Sequence, residues 1–144
     1  MFFPAFPCKQ NAKYAEWKII LDRVLATVPV DSEITFVGHS LGGNFIIKYL
    51  AETDVSDRKV SAVHLVAACY GDGSFSEPAD EGWERLSRCA DAVHIWQAKD
   101  DMIVPVALSE HIRGKLPGAE YHLFETGGHF RIAEFAELEG EIIS

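Results

Sequence analysis

Apolar and polar residues alternate along this chain with two different periods. Between Asn11 and Thr27, apolar residues recur every three or four positions, which is the spacing of one buried helix face, and Pro29 ends the pattern. The segment from Glu33 to Gly38 is short and rich in β-branched and aromatic residues, and a helical pattern follows from Leu41 to Glu52. This part of the chain is therefore predicted to fold as helix, strand, sharp turn and helix.

The strand-then-helix unit recurs along the rest of the sequence. Three further strands are predicted, at Val60 to Ala68, Ala92 to Ala98 and Ala119 to Glu125. Three further helices are predicted, at Glu81 to Ala90, Val106 to Lys115 and Phe130 to Ile143. This alternation favours a single α/β domain over residues 1–144, with a mostly parallel sheet of about four to five strands and helices on both faces. In such sheets a ligand binds at the loops that follow the carboxyl ends of the strands.

Composition narrows the class of protein. The 144 residues are 48% hydrophobic and 24% charged, which suits one globular core. The formal net charge of −9 repels phosphate backbones and anionic lipid surfaces, so a nucleic-acid partner is not expected. No apolar run approaches the roughly 18 residues of a membrane span. Three cysteines without a C-x-x-C pair favour a reducing, cytoplasmic location over a disulfide framework or a zinc site.

The first strand-to-helix loop carries a G-x-S-x-G motif, Gly38-His39-Ser40-Leu41-Gly42. In this motif the serine occupies a strained turn, and the flanking glycines let strand and helix approach each other. The same stretch has the G-x-x-x-x-G skeleton of a phosphate-binding loop, but Asn44 and Phe45 stand where that loop needs Lys and then Ser or Thr. The motif therefore favours a nucleophilic serine over a nucleotide site.

A serine hydroxyl needs a base to take its proton, and His129 is the best candidate. It lies in the turn after the last predicted strand, at the same sheet edge as Ser40. The other histidines are expected to be packed in strands, solvated on a helix or, for His39, directed away into the packing. These are His39, His64, His94, His111 and His122.

The base in turn needs a carboxylate that fixes its tautomer, and two aspartates are available. Asp100 and Asp101 both follow the strand that ends at Ala98. The residues alone leave the choice open, and the other aspartate is expected to be a solvated turn or helix-cap residue. Serine, aspartate and histidine then follow one another along the chain in the order typical of α/β folds that carry a nucleophilic serine after a strand.

Taken together, these motifs resemble the α/β-hydrolase superfamily, and more narrowly the small serine hydrolases of the retinoblastoma-binding protein 9 type. The resemblance extends from Pro4 onward. It is carried by Phe36 to Gly43, by Asp101-x-x-Val104-Pro105 and by Gly127 to Phe130. It implies a minimal α/β-hydrolase fold with a catalytic triad.

The resemblance also implies a role for each site residue. Ser40 would be the nucleophile and His129 the base, and the D-x-x-V-P pattern favours Asp101 over Asp100 as the orienting acid. The Leu41 N–H would supply one donor of the oxyanion hole.

The chain departs from the superfamily at its front. Such hydrolases usually have an earlier strand ending in a His-Gly type turn, whose N–H completes the oxyanion hole, and nothing before Asn11 matches it. We therefore expect the protein either to form a homodimer across that sheet edge or to recruit the second donor from the segment Pro4 to Cys8.

The expected activity is hydrolysis of small carboxylic esters, with lactones or thioesters as close variants, by a carboxylesterase- or lactonase-type serine mechanism. Tyr70, Phe75 and Trp83 are candidate walls of the acyl pocket, although ordinary packing would explain them equally well. No metal or organic-cofactor signature is present, and the mechanism requires neither. The alternative is a non-catalytic protein-interaction module on a degenerate hydrolase fold.

Overall fold

Four strands form one parallel sheet in the order in which they occur along the chain. The computed structural model describes residues 1–69, 75–131 and 134–143. The strands are β1 (Glu33–His39), β2 (Lys59–Val66), β3 (Ala92–Ala98) and β4 (Glu120–Phe124). Neighbouring strands are hydrogen-bonded in the order β1-β2-β3-β4, and all three pairings are parallel. The predicted parallel sheet is confirmed, with four strands.

Five α-helices accompany the sheet. They are α1 (Tyr14–Thr27), α2 (Leu41–Glu52), α3 (Asp80–Cys89), α4 (Val106–Lys115) and α5 (Ala136–Ile143), preceded by a short 3₁₀ turn at Lys9–Asn11. Within the described ranges, none of these helices combines the length and the apolar character that crossing a bilayer demands.

The last helix is shorter than predicted. It begins at Ala136 and not at Phe130. Gly127, Gly128 and Phe130 have φ angles of +155°, +55° and +49°, which a right-handed helix cannot accommodate. Phe130, the first residue of the predicted helix, instead closes a turn after β4 by donating its N–H to the Gly127 carbonyl at 3.0 Å.

The two faces of the sheet are covered unequally. Because the strands follow one another in sequence, right-handed crossovers place α2, α3 and α4 on the same face. The main core cluster contains residues of α1 to α4 together with alternate strand residues such as Val63 and Ile95. The opposite face carries a smaller cluster around Val66 and Trp96, against which Phe135 and Leu138 of the C-terminal region pack. Among the described residues, helices therefore lie on both faces, with α1 to α4 on one and α5 on the other.

Helix α2 is the centre of the main core. Eight of its twelve residues are buried, and Leu50 and Ile47 are 0% and 1% exposed. It packs on β1 and β2 behind it and on α3 and α1 beside it. Burial of each large aliphatic side chain contributes about 1.5–3 kcal/mol, so the position of α2 is strongly determined.

The N-terminal segment packs against the helices and forms no strand. The Phe6 ring stacks on Trp17 at 4.6 Å, and the Trp17 indole N–H donates to the Pro7 carbonyl at 2.9 Å. Phe2 and Phe3 remain 63% and 86% exposed. Within the described residues, no strand pairs with the outer edge of β1. Homodimerisation across that edge stays a prediction.

Two isoleucines provide a matched test of the core. Ile47→Ala should lower the free energy of unfolding by about 2–5 kcal/mol, because it leaves a cavity against the sheet. Ile19→Ala on α1, where the side chain is 52% exposed, should change it by less than about 1 kcal/mol. Urea denaturation followed by circular dichroism measures both, and equal losses would contradict the assigned position of α2.

Candidate active site

Ser40 alone connects β1 to α2, and its backbone is strained. Its φ and ψ angles are +54° and −121°, a conformation that side-chain-bearing residues rarely adopt and that costs on the order of 1–3 kcal/mol. Backbone hydrogen bonds hold the turn: the Ser40 N–H donates to the Val66 carbonyl at 2.8 Å, and the N–H groups of Gly43 and Asn44 donate to the Ser40 carbonyl. This is the backbone geometry of a nucleophile elbow.

Two glycines permit the close approach of strand and helix. A Cβ on Gly38 would lie 2.6 Å from the Gly42 carbonyl oxygen, and a Cβ on Gly43 would lie 2.6 Å from the Ala68 Cβ. A Cβ on Gly42 would meet no atom within 4 Å. The steric requirement after the serine therefore falls on Gly43, one residue later than the G-x-S-x-G pattern predicts.

Asp101 is held in the loop after β3 by backbone donors. Its Oδ1 accepts hydrogen bonds from the N–H groups of Ile103 and Val104 at 2.8 and 2.9 Å, and its Oδ2 lies 2.8 Å from His129 Nδ1. Its side chain is fully buried. Burial by itself would raise the pKa of this carboxyl, but the hydrogen bonds from Val104, His129 and Ile103 outweigh it and hold the pKa below its usual value. The group is therefore a carboxylate at neutral pH.

The ionised state of Asp101 determines the tautomer of His129. A carboxylate can only accept, so the hydrogen bond requires the proton on His129 Nδ1. The lone pair of the neutral imidazole is then on Nε2, as a general base requires.

The loop that carries His129 is fixed from two sides. The Gly128 N–H donates to Asp100 Oδ1 at 2.8 Å, and His39 Nε2 donates to the His129 carbonyl at 2.7 Å. Asp100 is exposed, and its side chain supports the loop from the β3 side. His39, next to Ser40, connects the same loop to the end of β1. The structure thus brings the three predicted residues Ser40, Asp101 and His129 to one edge of the sheet.

The Ser40 hydroxyl does not hydrogen-bond His129 in this structure. Both residues lie within the described ranges, and the hydrogen bond between them is the one link of the arrangement that is not formed. Such contacts are often long in the absence of substrate and tighten when it binds. The Leu41 N–H, the first of α2, belongs to the donors that a helix leaves without an internal acceptor.

The predicted pocket walls are not at this edge. Phe75 is 4% exposed and packs edge-on against Trp17 at 5.4 Å, and Trp83 on α3 is 2% exposed in the same core cluster. Burial of these large rings stabilises the helix layer, so ordinary packing explains them better than a ligand does. Tyr70 lies outside the described residues.

The other histidines differ in their burial and in their contacts. His64 and His94 are buried in strands as predicted, and His111 on α4 is exposed beside Glu77. The prediction for His39 is wrong, because its ring contacts the His129 loop at a centroid distance of 4.7 Å and does not turn away from the site. Its position directly before the serine was the only sequence signal for this contact.

The geometry can be compared with that of known proteins. No family model and no curated protein sequence matches the chain. The ydeN gene product from B. subtilis shares 18% identity with it, with a TM-score of 0.75 over 96% of this chain and 77% of the other. MGS-M1, an α/β-hydrolase enzyme from a Medee basin deep-sea metagenome library, shares 18% identity with the chain, with a TM-score of 0.59 over 86% of this chain and 54% of the other. The esterase domain from a Rhodothermus marinus protein shares 15% identity, with a TM-score of 0.61 over 91% of this chain and 66% of the other.

The chain has an α/β-hydrolase fold. At these identities the likeness shows the fold alone, and the chain spans between about half and three quarters of the three structures.

Adjacent glycines test the elbow. Gly43→Ala should lower the free energy of unfolding by about 1–3 kcal/mol, because its methyl group overlaps Ala68. Gly42→Ala should be neutral or stabilise by up to about 1 kcal/mol, since the site is open and helical. Thermal and denaturant unfolding of both variants measures this, and a greater loss from Gly42→Ala would contradict the geometry.

Proposed function

We propose that this protein is a serine hydrolase that cleaves small acyl esters through an acyl-enzyme. The observation that carries the proposal is the hydrogen bond between buried Asp101 and His129 at the sheet edge where Ser40 occupies a strained elbow. A buried carboxylate that orients an imidazole at the same sheet edge as such a serine is typical of a functional site. Within the superfamily we assign the chain to the small serine hydrolases of the retinoblastoma-binding protein 9 type, on its three motifs.

In the acylation step, the Ser40 Oγ attacks the carbonyl carbon of the ester while His129 Nε2 takes the hydroxyl proton. The negative charge moves to the carbonyl oxygen, and the Leu41 N–H is one donor to it. Asp101 stabilises the resulting imidazolium through Nδ1. Collapse of the tetrahedral intermediate breaks the ester bond, and the leaving alcohol takes the proton from Nε2.

In the deacylation step, water attacks the acyl carbon and His129 Nε2 takes its proton. The second tetrahedral intermediate releases the carboxylic acid and returns the proton to Ser40. Lactones and thioesters pass through the same intermediate, with an alcohol or thiol as leaving group. The second donor of the oxyanion hole stays a prediction: the segment Pro4 to Cys8 supplies it, or a homodimer forms across the edge of β1.

One structural observation favours short acyl groups, and one comparison favours esters as the substrate class. The aromatic side chains of Phe75 and Trp83 are committed to the core, so they line no acyl tunnel among the described residues. One of the structures with a similar fold is an esterase domain. Short-chain p-nitrophenyl esters are therefore the first substrates to assay.

A fluorophosphonate probe tests the nucleophile without knowledge of the substrate. The native chain should gain one adduct by intact-mass analysis, because the probe phosphonylates only an activated serine. Ser40→Ala should gain none, whereas Ser87→Ala, which removes an exposed serine on α3, should label like the native chain. No adduct on the folded native protein would overturn the proposal in favour of a non-catalytic interaction module.

The two neighbouring aspartates test the assignment of the acid. Asp101→Asn should lower kcat by about 10³–10⁴-fold, because an amide presents the wrong hydrogen-bonding pattern to His129 Nδ1. Asp100→Asn keeps an oxygen acceptor for the Gly128 N–H and should change kcat only a few-fold. Steady-state kinetics on one short-chain ester measures both. Similar losses in the two variants would remove the basis for choosing Asp101.

A further inference from the structure

A second cluster of titratable side chains lies on the sheet face opposite α1 to α4. His64 on β2 and His94 on β3 are register partners, and their rings stack at 4.6 Å. On β4, His122 and Glu120 project from the same face, with Glu120 in register with His94. The proposed ester chemistry uses none of these residues.

Three ligand-type atoms converge within this cluster. His94 Nδ1 lies 3.1 Å from His122 Nε2 and 3.8 Å from Glu120 Oε2, and His122 Nε2 lies 4.0 Å from Glu120 Oε2. A tetrahedral zinc ion with bonds of about 2.0–2.1 Å holds its ligand atoms roughly 3.4 Å apart. The three observed separations bracket that value, so a metal ion fits between these atoms with only small side-chain movements.

We propose that His94, Glu120 and His122 form a binding site for a divalent transition-metal ion, Zn²⁺ in the first place. Two imidazoles and one carboxylate form an established zinc ligand set, with a fourth position open to water. Imidazole ligands favour zinc and its neighbours over magnesium and calcium, which prefer an all-oxygen environment. The site is independent of the proposed hydrolase activity.

The surroundings orient the two imidazoles before a metal arrives. The His122 ring stacks on Trp96 at 3.8 Å with an interplanar angle of 10°, and His94 is buried between its neighbours. Trp96 also donates its indole N–H to His64 Nδ1 at 3.2 Å, which fixes the indole on which His122 rests. The Glu120 side chain is 66% exposed and leaves a path for an ion from solvent.

The site is remote from the hydrolase edge. His94 lies four residues before the end of β3, which corresponds to about 13 Å along the strand. A metal there would connect the edge strand β4 to β3 by coordinate bonds, so its role is to stabilise the sheet. Stabilisation follows because an ion that binds only the folded chain shifts the unfolding equilibrium.

The experiment uses the full chain after removal of metals with a chelator. Isothermal titration with Zn²⁺ should show one ion per chain, and saturating Zn²⁺ should raise Tm by several degrees. Co²⁺ should give the visible absorption of a four-coordinate site. If neither the calorimetric nor the spectroscopic signal appears at micromolar Zn²⁺ and Co²⁺, the proposal is overturned, because the cluster is then only a hydrogen-bonded pair of imidazoles.

Variants locate the ion. His122→Ala and Glu120→Gln should each weaken Zn²⁺ binding at least 10-fold, since even changes around the ligands cost on the order of 10–100-fold. Glu120→Gln alters only an exposed side chain, so its fold should persist. The matched control is His111→Ala, which removes an exposed histidine that also pairs with a carboxylate, at 3.1 Å from Glu77. Binding that is unchanged in the first two variants, or lost in the control, would place the ion elsewhere and overturn the proposal.

Discussion

The turn at Ser40 is the constraint on which the site depends. One residue carries the chain from β1 into α2, and it does so with a positive φ that a serine adopts at a cost. Gly38 and Gly43 make the turn sterically possible, and hydrogen bonds to Val66, Gly43 and Asn44 hold it. Burial of the apolar face of α2 supplies the free energy that keeps the serine in this conformation. A mutation that loosens the packing of α2 therefore also disturbs the turn at Ser40.

The parallel sheet brings the other two residues to the serine. Because all four strands run in the same direction, the loops after β3 and β4 emerge at the edge where β1 ends. Three hydrogen bonds then position His129 and its loop: Asp101 orients the imidazole, Asp100 holds the Gly128 N–H, and His39 holds the His129 carbonyl. The loop that carries His129 is thus held both from the end of β3 and from the end of β1, next to Ser40.

Sequential strand order also explains the unequal faces of the sheet. Right-handed crossovers place the connecting helices on one face, and in the part of the chain that the structure describes the other face is covered by α5 and the aromatic residues before it. Rows of cross-strand neighbours on that face can therefore consist of polar rings such as His64, His94 and His122. Their mutual stacking and the indole of Trp96 replace the helix layer found opposite.

The local sequence pattern was sufficient to predict many of the helices and strands of this protein. The bounds of α2, α4 and β3 agree with the periodicity of their apolar residues, and the glycines around Ser40 mark the elbow, because these signals act over a few neighbouring residues. Tertiary structure decided what depends on distant partners. The motif favoured Asp101 over Asp100, but only the fold shows that Asp101 hydrogen-bonds His129, 28 residues away. The contact of His39 with the loop of His129 and the approach of His94 to His122 arise from the sheet register and from loops that are distant in sequence, which no local pattern encodes.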